Sequence, residues 1–184
     1  SLGNHTIDHK DLARLTPDEI ARELDENQAL LAKELGKDSV KLTLIRPPFG
    51  SPWFDNYSEA EKIKVGDVIR SRGAIIMWSR HFDSGDSKDW VKGDWYKDAP
   101  KVNIDDTEFT KRMHLIYERI ITRANGKGIV ILFHDTHLTT REILPVIIEK
   151  LKKSGYRFDT AEDLIKWKFN KSSSDLIHSG PLIP

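Results

Sequence analysis

The chain has 184 residues, 38% hydrophobic and 32% charged, which suits one globular domain with a hydrophobic core. Lys and Arg total 29, as do Asp and Glu, so no charge excess points to nucleic acid or an anionic membrane as partner. There is no cysteine, which excludes a disulfide frame and a thiolate metal site, and these residues hold no apolar run of membrane-spanning length and no secretory-signal pattern.

The first stretch, GNHTIDHKDL, places His5 and His9 four residues apart. On a helix or tight turn that spacing lets two imidazoles converge on a metal, and an ordinary pair of surface or core histidines fits it as well. The metalloprotease pattern does not apply, because Thr6 stands where that pattern has Glu. Next, TPDEIARELDENQALLAKELG reads as a helix, with Thr16 as N-cap, Pro17 in the first turn, Glu19 closing a capping box and Gly36 as the stop. VKLTLI, 40–45, is β-prone and runs into RPPFG, a loop that two prolines stiffen. Arg46 there suits either bidentate grip on a carboxylate or a plain surface position.

A second helix is expected over 58–72 and a strand over 74–78. The polar segment 79–105 is too long for a passive connection and includes DSKDW. A helix over 106–124 shows Phe109, Met113, Ile116 and Ile120 on one face. GIVILF, 128–133, has the continuous apolar character of a strand buried on both faces, and HDTH follows it. His134 is a candidate acid or base because imidazole titrates near neutrality; a histidine merely satisfied by Asp135 or a loop carbonyl is the alternative. A helix over 139–153 containing Pro145, a strand in YRFDT, a short helix over 160–169 and an irregular tail, 170–184, complete the chain. The alternation of strands and helices predicts an α/β fold with parallel strands, whose chemistry gathers at the C-terminal strand ends.

In order, NHTIDH, RPPFG, DSKDW and LFH resemble four of the five ordered motifs of the polysaccharide deacetylases, the NodB-homology enzymes or carbohydrate esterase family 4. ILPVIIEKLKKSGYRFDTAEDL also resembles that family's closing helix, strand and helix. The resemblance implies a distorted (β/α) barrel, with residues 1–169 as the larger C-terminal part of one catalytic domain. It implies a metal-dependent hydrolase that removes acetyl groups from a glycan, such as peptidoglycan or a chitin-like polymer, in an extracytoplasmic setting. His5 and His9 would hold a divalent metal, zinc by the chemistry of the donors; His134 would be the general acid, Asp89 its partner, and Arg46 the residue that orients the catalytic base. Phe49, Trp90 and Leu132 would line the substrate site, Phe49 standing where relatives often carry Tyr. Trp53, Trp95 and Tyr96 would either stack on sugars or pack as ordinary aromatics.

Two departures bear on this reading. The family's opening Thr-Phe-Asp-Asp motif, source of the base and the third metal ligand, does not precede His5; Asp105 and Asp106 lie after the fourth motif and read as a helix start. The expectation is a companion N-terminal fragment that carries the missing pair. In addition, SRHFDSG separates Trp78 from Asp86, which puts Asp89 in question and makes Asp83 and Asp86 the alternative partners of His134. The competing functions are an inactive glycan-binding module of the same fold, an O-acetyl xylan esterase, and an unrelated metal hydrolase on an α/β fold.

Overall fold

The computed structural model describes residues 1–36, 40–54, 56–86 and 107–177. They fall into two compact units, Ser1–Met77 with Asp159–Pro184, and Trp78–Phe158.

In the first unit, helix α1 (Pro17–Glu34) starts as its sequence dictates: the Thr16 hydroxyl accepts from the Glu19 N–H and the Glu19 carboxylate accepts from the Thr16 N–H. Helix α2 (Glu59–Arg70) has the same box from Ser58 and Glu61, and helix α5 (Ala161–Phe169) from Thr160 and Asp163. Strands β1 (Leu44–Ile45) and β2 (Ala74–Ile75) pair in parallel, Leu44 opposite Ala74 and Ile45 opposite Ile75, with α2 as the crossover. Asn4 adds a parallel bridge to Ile45. Successive strand residues face opposite ways, so the pairs separate into two cores. Ile45 and Ile75 join Leu12, Ile20, Leu24, Val65 and Ile69, while Leu44 and Ala74 meet Ile165 of α5 and Leu176. Each such buried aliphatic side chain stabilises the fold by roughly 1.5–3 kcal/mol. Trp53, a sugar-stacking candidate, packs against the first of these cores.

In the second unit, helices α3 (Thr107–Ile121) and α4 (Leu138–Lys153) pack through Ile116, Ile120, Ile143, Ile147 and Leu151, with Phe82 among them. Pro145 lies inside α4 without ending it.

The helices fall where the periodicity puts them, but the strands are shorter than expected. The 40–45 and 74–78 runs each yield two strand residues. The 128–133 run contributes one parallel bridge, Leu132 with Asp83, and only Leu132 in it is buried. Its partner comes from a segment read as loop: Ser79 N–H bonds to Val130 O at 2.9 Å, Leu132 N–H to Phe82 O at 3.0 Å and Ser84 N–H to Leu132 O at 3.1 Å. Residues 156–160 form no strand, and Phe158 is half exposed there. An apolar run suggests a buried strand, but strand length is set by how many residues find a hydrogen-bonding neighbour. The tail is less irregular than expected: Ser174–Leu176 is a 3-10 turn that seats buried Leu176, and Ser173 bonds to Thr43 and Glu162.

Candidate functional site

The His5–His9 segment leaves the bridge at Asn4 as a tight loop. Thr6 and His9 both have left-handed backbones, φ 67° and 56°, a cost of roughly 1–2 kcal/mol for each such residue. Local polar groups hold this conformation. Asn4 Oδ1 accepts from the Thr6 N–H at 2.9 Å, and Thr6 Oγ1 accepts from the His9 N–H at 3.1 Å. From α1, the Glu23 backbone carbonyl accepts from Ile7 at 3.0 Å and its carboxylate from Asp8 at 2.9 Å. That carboxylate is 1% exposed and also takes a bond from Lys10 Nζ at 2.8 Å. Asn4, in turn, donates to the Leu24 carbonyl at 2.8 Å.

The loop brings the two imidazoles together, with centroids 4.9 Å apart and planes at 79°. His5 Nδ1 bonds to the backbone carbonyl of Arg46. A carbonyl only accepts, so Nδ1 carries the proton and Nε2 is the unprotonated nitrogen of the neutral ring. Arg46 thus meets the histidine pair through its backbone; its N–H also bonds to Asn4 O at 3.0 Å. Farther along RPPFG, Phe49 has φ 59° and is 58% exposed, its ring edge-on to His9 at 4.8 Å. The turn is closed by bonds from the Gly50 and Ser51 N–H groups, and the Phe49 N–H takes part in neither. Asp11 ties the two loops together, accepting from the hydroxyls of Ser51 and Tyr57.

The second cluster lies in the other unit. His134 lies two residues past the Leu132 bridge, and its Nδ1 donates to Asp86 Oδ1 at 2.7 Å. Asp86 Oδ2 accepts from the His134 backbone N–H at 2.7 Å and from Thr140 Oγ1 at 2.6 Å. Asp86 is fully buried. Burial pushes its carboxyl up, but the bonds from the His134 ring, the Thr140 hydroxyl and the His134 N–H outweigh it and bring the pKa down to about 2. The group is therefore a carboxylate facing His134 across the physiological range. The His137 ring stands edge-on to that of His134 at 5.8 Å.

A family model described as polysaccharide deacetylase matches residues 1–66. A peptidoglycan-N-acetylglucosamine deacetylase of Bacillus cereus is 30% identical over 158 residues, 86% of this chain and 49% of that protein. Over most of its length the chain is thus similar to polysaccharide deacetylases. A solved polysaccharide deacetylase from Bacillus cereus superimposes with a TM-score of 0.61 at 28% identity, covering 88% of this chain and 66% of the other. A family 4 carbohydrate esterase described as a pseudoenzyme, from Bacillus anthracis, shares the fold with a TM-score of 0.56 at 24% identity, covering 85% of this chain and 43% of the other. The fold is the distorted (β/α) barrel class of NodB-homology proteins. The chain spans about half the length of the first of these curated relatives.

Within this deacetylase fold, the sequence-predicted residues separate by unit. His5, His9, Arg46 and Phe49 gather in the first, while His134 and Leu132 lie in the second. Leu132 is buried and engaged through its backbone. Asp89, Trp90, Trp95 and Tyr96 lie outside the described residues. The carboxylate that holds His134 Nδ1 is Asp86, one of the two alternatives in the sequence. Asn4, Glu23 and Thr140 were missed. Thr6 and Asn4 flank His5 in NHTIDH and were legible as loop formers, whereas nothing in the spacing marks Glu23 or Thr140 as partners. The donor set of the first cluster fits a borderline metal: Nε2 of His5 is the ligating form, with a carbonyl behind the ring. Among the described residues no three His, Asp or Glu side chains converge on one point, so His5 and His9 would provide two ligands of a larger set.

Proposed function

We propose that this chain forms the larger part of a metal-dependent deacetylase that removes acetyl groups from N-acetylated sugars of a bacterial cell-wall glycan. The observation that carries the reading is the Arg46 carbonyl behind His5, which fixes the imidazole tautomer that a metal ligand requires, with His9 folded against the same ring. His5 and His9 would hold the ion, zinc by donor chemistry, together with a carboxylate from the family's Asp-Asp motif carried outside residues 1–184, on a companion segment. Such an ion, when bound, supplies a polarised acetyl carbonyl and a water of lowered pKa.

This chain's own residues do the rest. The Phe49 N–H is a backbone donor suited to an oxyanion. His134, with Nδ1 engaged by Asp86, presents its proton from Nε2 to the departing amine as general acid. Arg46 would orient the base from the companion motif. The names of the relatives support peptidoglycan as the polymer, and hence an extracytoplasmic site of action.

The test is release of acetate from N-acetylated glycan oligomers and from O-acetylated xylan, with the companion segment present. Turnover on the amide substrate alone is expected. His134→Ala should lower it by about a hundredfold or more. Turnover on xylan alone would make the protein an esterase. Tight glycan binding without acetate release, in a fully metal-loaded sample, would favour the second reading, a non-catalytic module; the existence of a pseudoenzyme with this fold gives that reading its weight.

A further inference from the structure

Asp86 is a fully buried carboxylate, and the Thr140 hydroxyl donates to its Oδ2 at 2.6 Å. Thr140 is itself buried, 4% exposed, and sits in the first turn of α4. That helix begins at His137, whose side chain makes no capping bond, so the positive end of the α4 dipole is left to neighbouring groups. The Thr140 hydroxyl draws the Asp86 carboxylate against this turn. One oxygen, Oδ2, is occupied by Thr140 and the His134 N–H, and the other is left to meet the imidazole. A carboxylate turned part-way about its Cβ–Cγ bond would carry the oxygen that meets Nδ1 out of line with the imidazole. The three bonds differ in what they can specify: the His134 N–H is fixed by the backbone, and the ring can turn. Thr140 reaches Asp86 from a different element, the first turn of α4.

We propose that Thr140 is a positioning residue whose hydroxyl orients Asp86 so that Oδ1 holds Nδ1 of His134 and the opposite ring nitrogen carries the proton used in the reaction. This rests on the reading of His134 as general acid. Thr140→Val removes the donor and keeps the branched shape, while Thr140→Ser keeps the donor and removes the methyl group. In the intact enzyme with its metal, Thr140→Val is expected to lower kcat on the order of tenfold with KM unchanged, and Thr140→Ser to restore most of it. In parallel, the exchange-protected Nδ1–H resonance of His134 in NMR spectra should vanish in Thr140→Val and persist in Thr140→Ser. Should Thr140→Val fail to fold, Thr140→Ala is read in its place. Unchanged kcat and resonance in the variant lacking the hydroxyl would overturn the proposal. So would a Ser variant as impaired as Val, because packing of the methyl would then be the cause. If His134→Ala turns over normally, the acid assignment fails, and the resonance alone decides whether Thr140 positions the pair.

Discussion

At the residue scale, the site is expensive to build and its cost is met by a few buried polar groups. Glu23 is the clearest case. Its carboxylate lies inside the fold because the loop that carries His5 and His9 has an N–H, at Asp8, turned toward α1. Glu23→Ala would leave that N–H without an acceptor and Lys10 without its inner partner, a loss of about 2 kcal/mol in stability. Glu23→Gln, which keeps an acceptor, should lose less; denaturant titration of the two variants separates them, and equal losses would contradict the account. Asp86 makes the complementary point about charge. Its pKa falls from 3.8 in the unfolded chain to about 2 in the folded one. Its contribution is therefore complete above the unfolded value and disappears as the pH drops through the folded value. The difference in unfolding free energy between the wild type and Asp86→Asn should be roughly 2 kcal/mol near neutrality and shrink between pH 4 and pH 2. A difference that stays constant over that interval would show that the carboxylate's bonds are not what stabilises the folded state.

At the scale of elements, helices and strands differ in how much they owe to their own residues. Helices α1, α2 and α5 each begin with a capping box that closes within four residues of chain, so the signal and the structure share the same short range. The strands are different. β1 and β2 exist because Gly73 lets the two backbones come together: a Cβ built there would stand 2.7 Å from the Thr43 carbonyl oxygen. Gly73→Ala should therefore push β2 off β1 and cost about 2 kcal/mol, read as a lower melting temperature with unchanged helical circular dichroism. Gly126→Ala makes a useful contrast in the loop before the 128–133 run. A Cβ there would meet nothing within 4 Å, so any steric loss would come from the residue's φ of 81°. The 128–133 run shows the limit of reading apolar residues as strand: Val130 and Leu132 find backbone partners in Ser79, Phe82 and Ser84, and among the described residues the run forms one bridge, at Leu132.

On the whole-molecule scale, the proposed metal would link ligand binding to stability. A ligand that binds only the folded state adds about 2.7 kcal/mol at a hundredfold excess over its Kd. Adding zinc to the protein should raise the melting temperature, and EDTA should reverse the rise and abolish any acetate release. His9→Ala should remove the thermal response while leaving the metal-free melting temperature nearly unchanged. A zinc-induced rise that survives in His9→Ala would place the ion elsewhere. Among the described residues no helix is long and apolar enough to cross a membrane.

What the sequence by itself determined was local: the helix starts at Thr16, Ser58 and Thr160, the stiff RPPFG turn, and the identity of the His5, His9 and His134 imidazoles as the groups with chemistry to offer. These depend on residues within a turn or two of one another, or on the order of short motifs along the chain. Only the tertiary structure decided that Asp86 meets the ring of His134, that Glu23 supports the loop between His5 and His9, that Arg46 holds His5 by its carbonyl, and how short the strands are. The first three of those facts join residues 48, 15 and 41 positions apart. Spacing in sequence does not set distance across such separations, because it is the packing of the intervening helices that brings the groups together.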